Sequence, residues 1–264
     1  MQRSLLAIAL ACFALPASAA MVEKPVEWKI GGDSFTGTLV YDDATDAKRP
    51  GLMMVPNWRG VTQPSVEHAK NLAGDDYVIL VADVYGTKVR PQSNEEAGEV
   101  AGQLKADPAT LRTRAQKAVE VLKAQAGKAP VDPERIGAIG FCFGGTTVLE
   151  LVRAGADLAG AVSLHGGLST PKPAQESAIE TPVLVLNGAA DKAVTDAEID
   201  AFEQEMDRAD ADWQFVNFGG AVHCFAEPSA GNDPASNCRY SEQAATRAYG
   251  MMADFFRRQF TAAE

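Results

Sequence analysis

Residues 140–145 read Gly-Phe-Cys-Phe-Gly-Gly, between an apolar run at 136–139 and a second at 146–152. A Gly-x-nucleophile-x-Gly turn joining a strand to a helix holds its central side chain at a strained backbone angle, so neighbouring side chains must be absent. Gly140 and Gly144 meet that need, and Cys142 is then the nucleophile. Such a turn lifts the sulfur above the sheet edge. It also sets it at a helix N-terminus, where partial positive charge favours a thiolate. The N–H of Phe143 would face the reacting oxygen as one half of an oxyanion hole. The bland alternative is a structural cysteine in a glycine-rich turn, since buried free cysteines are common.

A hydrolytic site of this kind needs an acid and then a histidine after the nucleophile, in that chain order. Asp191 follows the apolar run 182–187 through Gly188-Ala189-Ala190, where a carboxylate reaches a sheet's C-terminal edge; its alternative role is to cap a helix. Only three histidines exist. His68 falls in a predicted surface helix and is expected to be solvated. His165 ends a strand and could line a pocket, but it precedes Asp191. His223, after Gly219-Gly220-Ala221-Val222, has the right order and placement. In the expected mechanism His223 takes the thiol proton and Asp191 orients and stabilises the imidazolium. Cys142 attacks an ester, lactone or thioester carbonyl, and water cleaves the thioester that forms. The second oxyanion donor is expected from the backbone N–H of Trp58 in Pro56-Asn57-Trp58-Arg59-Gly60. No metal or organic cofactor is called for.

These side chains need a scaffold that delivers them from distant parts of the chain. Short apolar runs alternate with helical patterns. A leading hairpin is predicted over 26–30 and 35–41, with its turn at Gly31-Gly32-Asp33. Buried strands are predicted at 51–56, 77–82, 135–141, 158–164, 182–187 and 214–218. Helices are predicted at 65–73 with Ser65 as N-cap, and at 95–105, 111–126, 144–153, 196–208 and 241–260. Strand alternating with helix implies an α/β fold, a mostly parallel sheet covered on both faces, here with an antiparallel N-terminal edge. Nothing reads as a linker, so residues 21–264 are expected to form one domain.

Residues 1–20 read as a secretory leader: Arg3, an apolar run at 5–15 and the small-x-small site Ala17-Ser18-Ala19. The run is shorter than the roughly 20 residues that span a bilayer. An exported chain is expected, in a bacterial periplasm, with no membrane contact once the leader is removed. Its loss moves the net charge from −11 to −12. That argues against nucleic acid or anionic lipid as a partner. A small-molecule substrate and a monomer are expected. Three cysteines then remain, and Cys224 and Cys238, close together in a Gly/Pro/Asn-rich stretch, form the natural disulfide; three unpaired thiols are the alternative.

Asp132-Pro133-Glu134-Arg135-Ile136-Gly137 leads into the Cys142 turn, and Ala82-Asp83-Val84-Tyr85-Gly86, the Asp191 turn and His223-Cys224-Phe225 accompany it. In these stretches the chain resembles the dienelactone hydrolase family. The resemblance implies a three-layer α/β-hydrolase fold, a Cys142–His223–Asp191 triad and hydrolysis of small esters or lactones. Two positions depart from the family pattern. Asn57 stands where a glutamate takes part in thiol activation, and Glu227 stands where an arginine holds a substrate carboxylate. Arg90 is a candidate for the family's other arginine, or a solvated loop residue. Dienelactone is therefore not the expected substrate; a neutral or cationic ester is. Asn57, Trp58, Tyr85 and Phe225 are pocket candidates, although aromatics near strand ends are as often plain core. Two other readings stand beside the hydrolase: a non-catalytic ligand-binding protein on the same fold, and redox chemistry through Cys142 and the Cys224/Cys238 pair.

Overall fold

A computed structural model describes residues 20–262, so nearly all of the expected leader lies outside the described residues. The strands are β1 (Met21–Ile30), β2 (Asp33–Asp42), β3 (Arg49–Val55), β4 (Val78–Val81), β5 (Val131–Phe141), β6 (Gly160–Leu164), β7 (Val183–Gly188) and β8 (Trp213–Phe218). The helices are α1 (Gln63–Ala73), α2 (Asn94–Ala106), α3 (Pro108–Lys123), α4 (Phe143–Arg153), α5 (Asp196–Arg208) and α6 (Glu242–Ala262). All eight strands join one sheet in the order β1-β2-β4-β3-β5-β6-β7-β8. β1–β2 and β2–β4 pair antiparallel and the remaining pairs are parallel.

The inner strands β4, β6 and β7 are buried throughout, which is why they read as unbroken apolar runs rather than alternating ones. Two apolar layers cover the sheet. Side chains of α2, α3, α4 and α5 fill one, including Leu111, Leu122, Val148 and Phe202. Those of α1 and α6 fill the other, including Val66, Ala69, Phe255 and Phe256.

The leading hairpin is longer than its apolar core. β1 begins at Met21, and its register runs from Met21 opposite Asp42 to Ile30 opposite Asp33, so polar residues are carried along by the ladder. Helix α1 starts earlier than expected. Its N-cap is Thr62, and Ser65 is the third helical residue, whose hydroxyl bonds back to the Thr62 N–H at 2.9 Å. This reciprocal capping box corrects the assignment of Ser65 as the cap.

Candidate active site

β5 ends at Phe141 and α4 begins at Phe143, leaving Cys142 alone in the corner at φ 53°, ψ −116°. A side chain carries strain at that φ, and such strain persists only where surrounding contacts over-determine it. The glycines show those contacts. A Cβ on Gly140 would stand 2.1 Å from the Gly144 carbonyl oxygen, and one on Gly144 would stand 2.0 Å from the Val55 carbonyl oxygen. The Cys142 N–H is shared between the Leu164 carbonyl at 3.0 Å and His165 Nδ1 at 3.1 Å. α4 begins at Phe143, whose N–H is among those a helix start leaves without an intrahelical partner.

Asp191 follows β7 through a turn closed by its own N–H on the Gly188 carbonyl at 3.0 Å. It does not cap α5, whose N-cap is Thr195. Its Oδ1 accepts from the Ala193 N–H at 2.8 Å and from Asn237 Nδ2 at 2.9 Å. Its Oδ2 is 2.7 Å from His223 Nδ1, and His223 Nε2 is 3.0 Å from Cys142 Sγ. Burial works to raise the Asp191 pKa, but these donors outweigh it and hold the carboxyl below its usual range. Burial likewise lowers that of His223, and the bonds to Asp191 and Cys142 overcome it, pushing the imidazole up to about 10. Three residues predicted from separate stretches of sequence thus form one hydrogen-bonded line.

His165 has a different place. It is fully buried at φ 42°, and because Nδ1 accepts the Cys142 N–H, its proton sits on Nε2 when the ring is neutral. Burial first, and the positive charge of His223 second, push its pKa well below the ordinary value. The ring packs edge-on against His223 at 5.3 Å between centroids. It holds the backbone of Cys142 rather than its sulfur.

Trp58 lies in an ordered loop after β3. Asn57 Oδ1 accepts the Arg59 N–H at 3.0 Å, Asn57 O accepts the Gly60 N–H at 2.9 Å, and the Tyr85 hydroxyl donates to Trp58 O at 2.9 Å. Tyr85 itself is buried, its ring 5.3 Å from that of Phe143, so it braces both sides of the expected oxyanion hole. Two pocket candidates are corrected. Arg90 is consumed in structural bonds, to Asp83 at 2.9 Å and to the carbonyls of Gly86 and Val89, because the buried Asp83 carboxylate needs a counter-charge. Phe225 is fully buried against His165 and Phe218, which makes it core.

The two departures from the family pattern meet each other: Asn57 Nδ2 donates to Glu227 Oε2. Glu227 is buried, its Oε1 lies 3.9 Å from His165 Nε2, and burial raises its pKa. Both residues line a cavity of about 650 Å³ that also touches Phe141 and His68 but has neither Cys142 nor His223 in its lining. His68 is partly buried rather than fully solvated as expected. Its Nε2 meets the Tyr249 hydroxyl at 2.8 Å and its ring lies 4.5 Å from that of Phe141. Burial lowers its pKa to about 4. Cys224 and Cys238 are joined in a disulfide, which leaves Cys142 as the free thiol among the described residues. Nothing in the sequence pointed to Asn237 or to the Asn57–Glu227 bond. Both contacts cross between segments whose spacing carries no periodic signal.

A mostly parallel sheet with a strained turn at Cys142 after its fifth strand, followed in chain order by Asp191 and His223, has the arrangement of the α/β-hydrolase fold. The dienelactone hydrolase family model matches residues 35–260; the chain belongs to that family and is a hydrolase. A solved structure named "m3DLH" is 35% identical with a TM-score of 0.84, over 91% of this chain and 99% of that one. A dienelactone hydrolase-like promiscuous phosphotriesterase from metagenomic libraries is 33% identical with a TM-score of 0.83, over the same shares, 91% and 99%. A Bradyrhizobium sp. protein named "Probable 2-oxo-3-(5-oxofuran-2-ylidene)propanoate lactonase" is 26% identical across 76% of this chain and 84% of its own.

Proposed function

We propose that this hydrolase cleaves small carboxylic esters or lactones through a thioester on Cys142. The observation that carries the reading is the line of contacts from Asp191 to His223 at 2.7 Å and from His223 to Cys142 Sγ at 3.0 Å, ending on a nucleophile at positive φ. His223 already holds the proton drawn from Cys142 as the sulfur adds to the carbonyl carbon. The oxyanion is received by the N–H groups of Phe143 and Trp58. On collapse the alkoxide leaves with the proton from His223. His223 then deprotonates a water that attacks the thioester, releasing the acid and restoring the thiol. Asp191 stays ionised throughout and stabilises the imidazolium.

The buried Glu227 and the Asp83-bound Arg90 offer no anchor to a substrate carboxylate, so neutral or cationic esters are the preferred class. Export to an oxidising compartment such as a periplasm belongs to the same proposal. The leader-like residues 1–20 and the Cys224–Cys238 bridge support it.

The test is Cys142→Ala assayed beside the parent on p-nitrophenyl esters, simple lactones and, given the likeness to a phosphotriesterase, an aryl phosphotriester. The variant should fold normally and lose turnover. An acyl adduct on Cys142 should be trapped by mass spectrometry in the parent. Parent-like turnover in the variant refutes the thiol mechanism. Thermal stabilisation by these ligands without turnover in either protein would instead indicate a binding protein.

A further inference from the structure

Asp191 does its proposed work only if one oxygen stays on His223, and that depends on what holds the other. We propose that Asn237 is a positioning residue for Asp191, and that the Cys224–Cys238 disulfide keeps Asn237 and His223 in register. The proposal rests on the thiol-hydrolase reading above.

Asn237 grips both the acid and the turn that carries it. Its Nδ2 donates to Asp191 Oδ1 at 2.9 Å, and its Oδ1 accepts the Lys192 N–H at 3.1 Å. With Ala193 N–H also on Oδ1, at 2.8 Å, the carboxylate is turned so that Oδ2 faces His223. Asn237 comes from the far end of a loop whose residues 231–235 are all exposed and rich in Gly, Pro and Asn, so little packing holds it. The disulfide supplies what packing does not. It joins Cys224, directly after the histidine, to Cys238, directly after Asn237, with the two Cα atoms 4.9 Å apart. A backbone bridge pairs His223 with Cys238, and the Arg239 N–H donates to the His223 carbonyl at 3.1 Å. One covalent link therefore fixes the base and the residue that orients the acid. Cys224 is buried and Cys238 is exposed, so the bridge is open to a small dithiol. Reduction would pass two electrons and two protons to the bridge, giving thiols at Cys224 and Cys238 and a disulfide in the reagent. Cys142 is already a thiol and is unchanged.

The decisive experiment measures kcat, KM, melting temperature and the pH profile of kcat/KM for Asn237→Ala and for the parent with and without dithiothreitol. The expected result for Asn237→Ala is a fall of about tenfold in kcat with KM unchanged, in keeping with a lost hydrogen bond to a charged group. The acid limb of the profile should also move to higher pH, because Asp191 loses a donor that favours its ionised form. Parent protein whose titratable thiols rise by two on reduction should lose kcat similarly and regain it on reoxidation. A purely structural Asn237 would lower the melting temperature and leave kcat and the acid limb in place, which overturns the proposal. Reduced protein that keeps its kcat, or that loses it only by unfolding, overturns the part given to the disulfide. An inactive Cys142→Ala beside an unaffected Asn237→Ala defeats this proposal only. An active Cys142→Ala defeats the catalytic reading beneath it.

Discussion

Replacing Asp191 with asparagine changes a charge and little else in shape, and its cost follows from the contacts. Oδ1 receives two donors, the Ala193 N–H and Asn237 Nδ2, so an asparagine keeps its oxygen there and turns its NH₂ toward His223 Nδ1. His223 Nδ1 must then accept, the ring proton moves to Nε2, and a neutral ring in that tautomer cannot take the thiol proton. The charge term can be sized separately. His223 is pushed from 6.5 to about 10, a net preference for imidazolium of about 5 kcal/mol at about 1.4 kcal/mol per unit. Asp191 and Cys142 together outweigh burial in producing it, so removing the Asp191 charge alone weakens it substantially. In serine triads the tautomer change brings the loss to about 10⁴. A thiol surrenders its proton more readily than a hydroxyl, so we expect kcat/KM for p-nitrophenyl acetate to fall by about a thousandfold. Alkylation of Cys142 by iodoacetamide near neutral pH should slow in parallel, since His223 in that tautomer no longer acts as a base toward the sulfur. A loss of less than about tenfold, with alkylation unchanged, would refute the role given to Asp191.

Glu227→Gln should raise the melting temperature at alkaline pH and leave it unchanged at acid pH. Burial holds the Glu227 pKa above its unfolded value, so its contribution is complete below that value and is lost as pH rises through the folded one, whereas glutamine stays neutral. Differential scanning fluorimetry across pH reads this, and equal curves would show that the carboxyl is not held protonated. Gly144→Ala should destabilise the fold by about 3 kcal/mol or more, roughly 10 °C in melting temperature. Its Cβ would meet backbone, the Val55 oxygen at 2.0 Å, and α4 cannot back away from β3 without moving Cys142.

Much of this protein was legible from residue types alone. The layered α/β architecture showed as runs such as 183–186, because strands covered on both faces must be apolar at every position. The strained turn at Cys142 showed because only glycine fits where a Cβ would strike a carbonyl, and that exclusion is written into positions 140 and 144. Chain order then selected Asp191 and His223. Element ends were less legible, as β1 shows: its first residues are in the ladder through pairing with β2, which no property of their own requires.

What the sequence by itself determined was therefore local: which residues are apolar, which lack a side chain, and in what order the reactive ones come. The tertiary structure decided which polar groups meet. Arg90 went to Asp83 instead of the site, His68 went to Tyr249 instead of solvent, and Glu227 turned to Asn57, so that the two departures from the family pattern answer each other. The physical reason is the same in each case. A polar group drawn out of water is costly without a partner, and the partner is whichever group the packed layers bring within about 3 Å, however far away it lies along the chain.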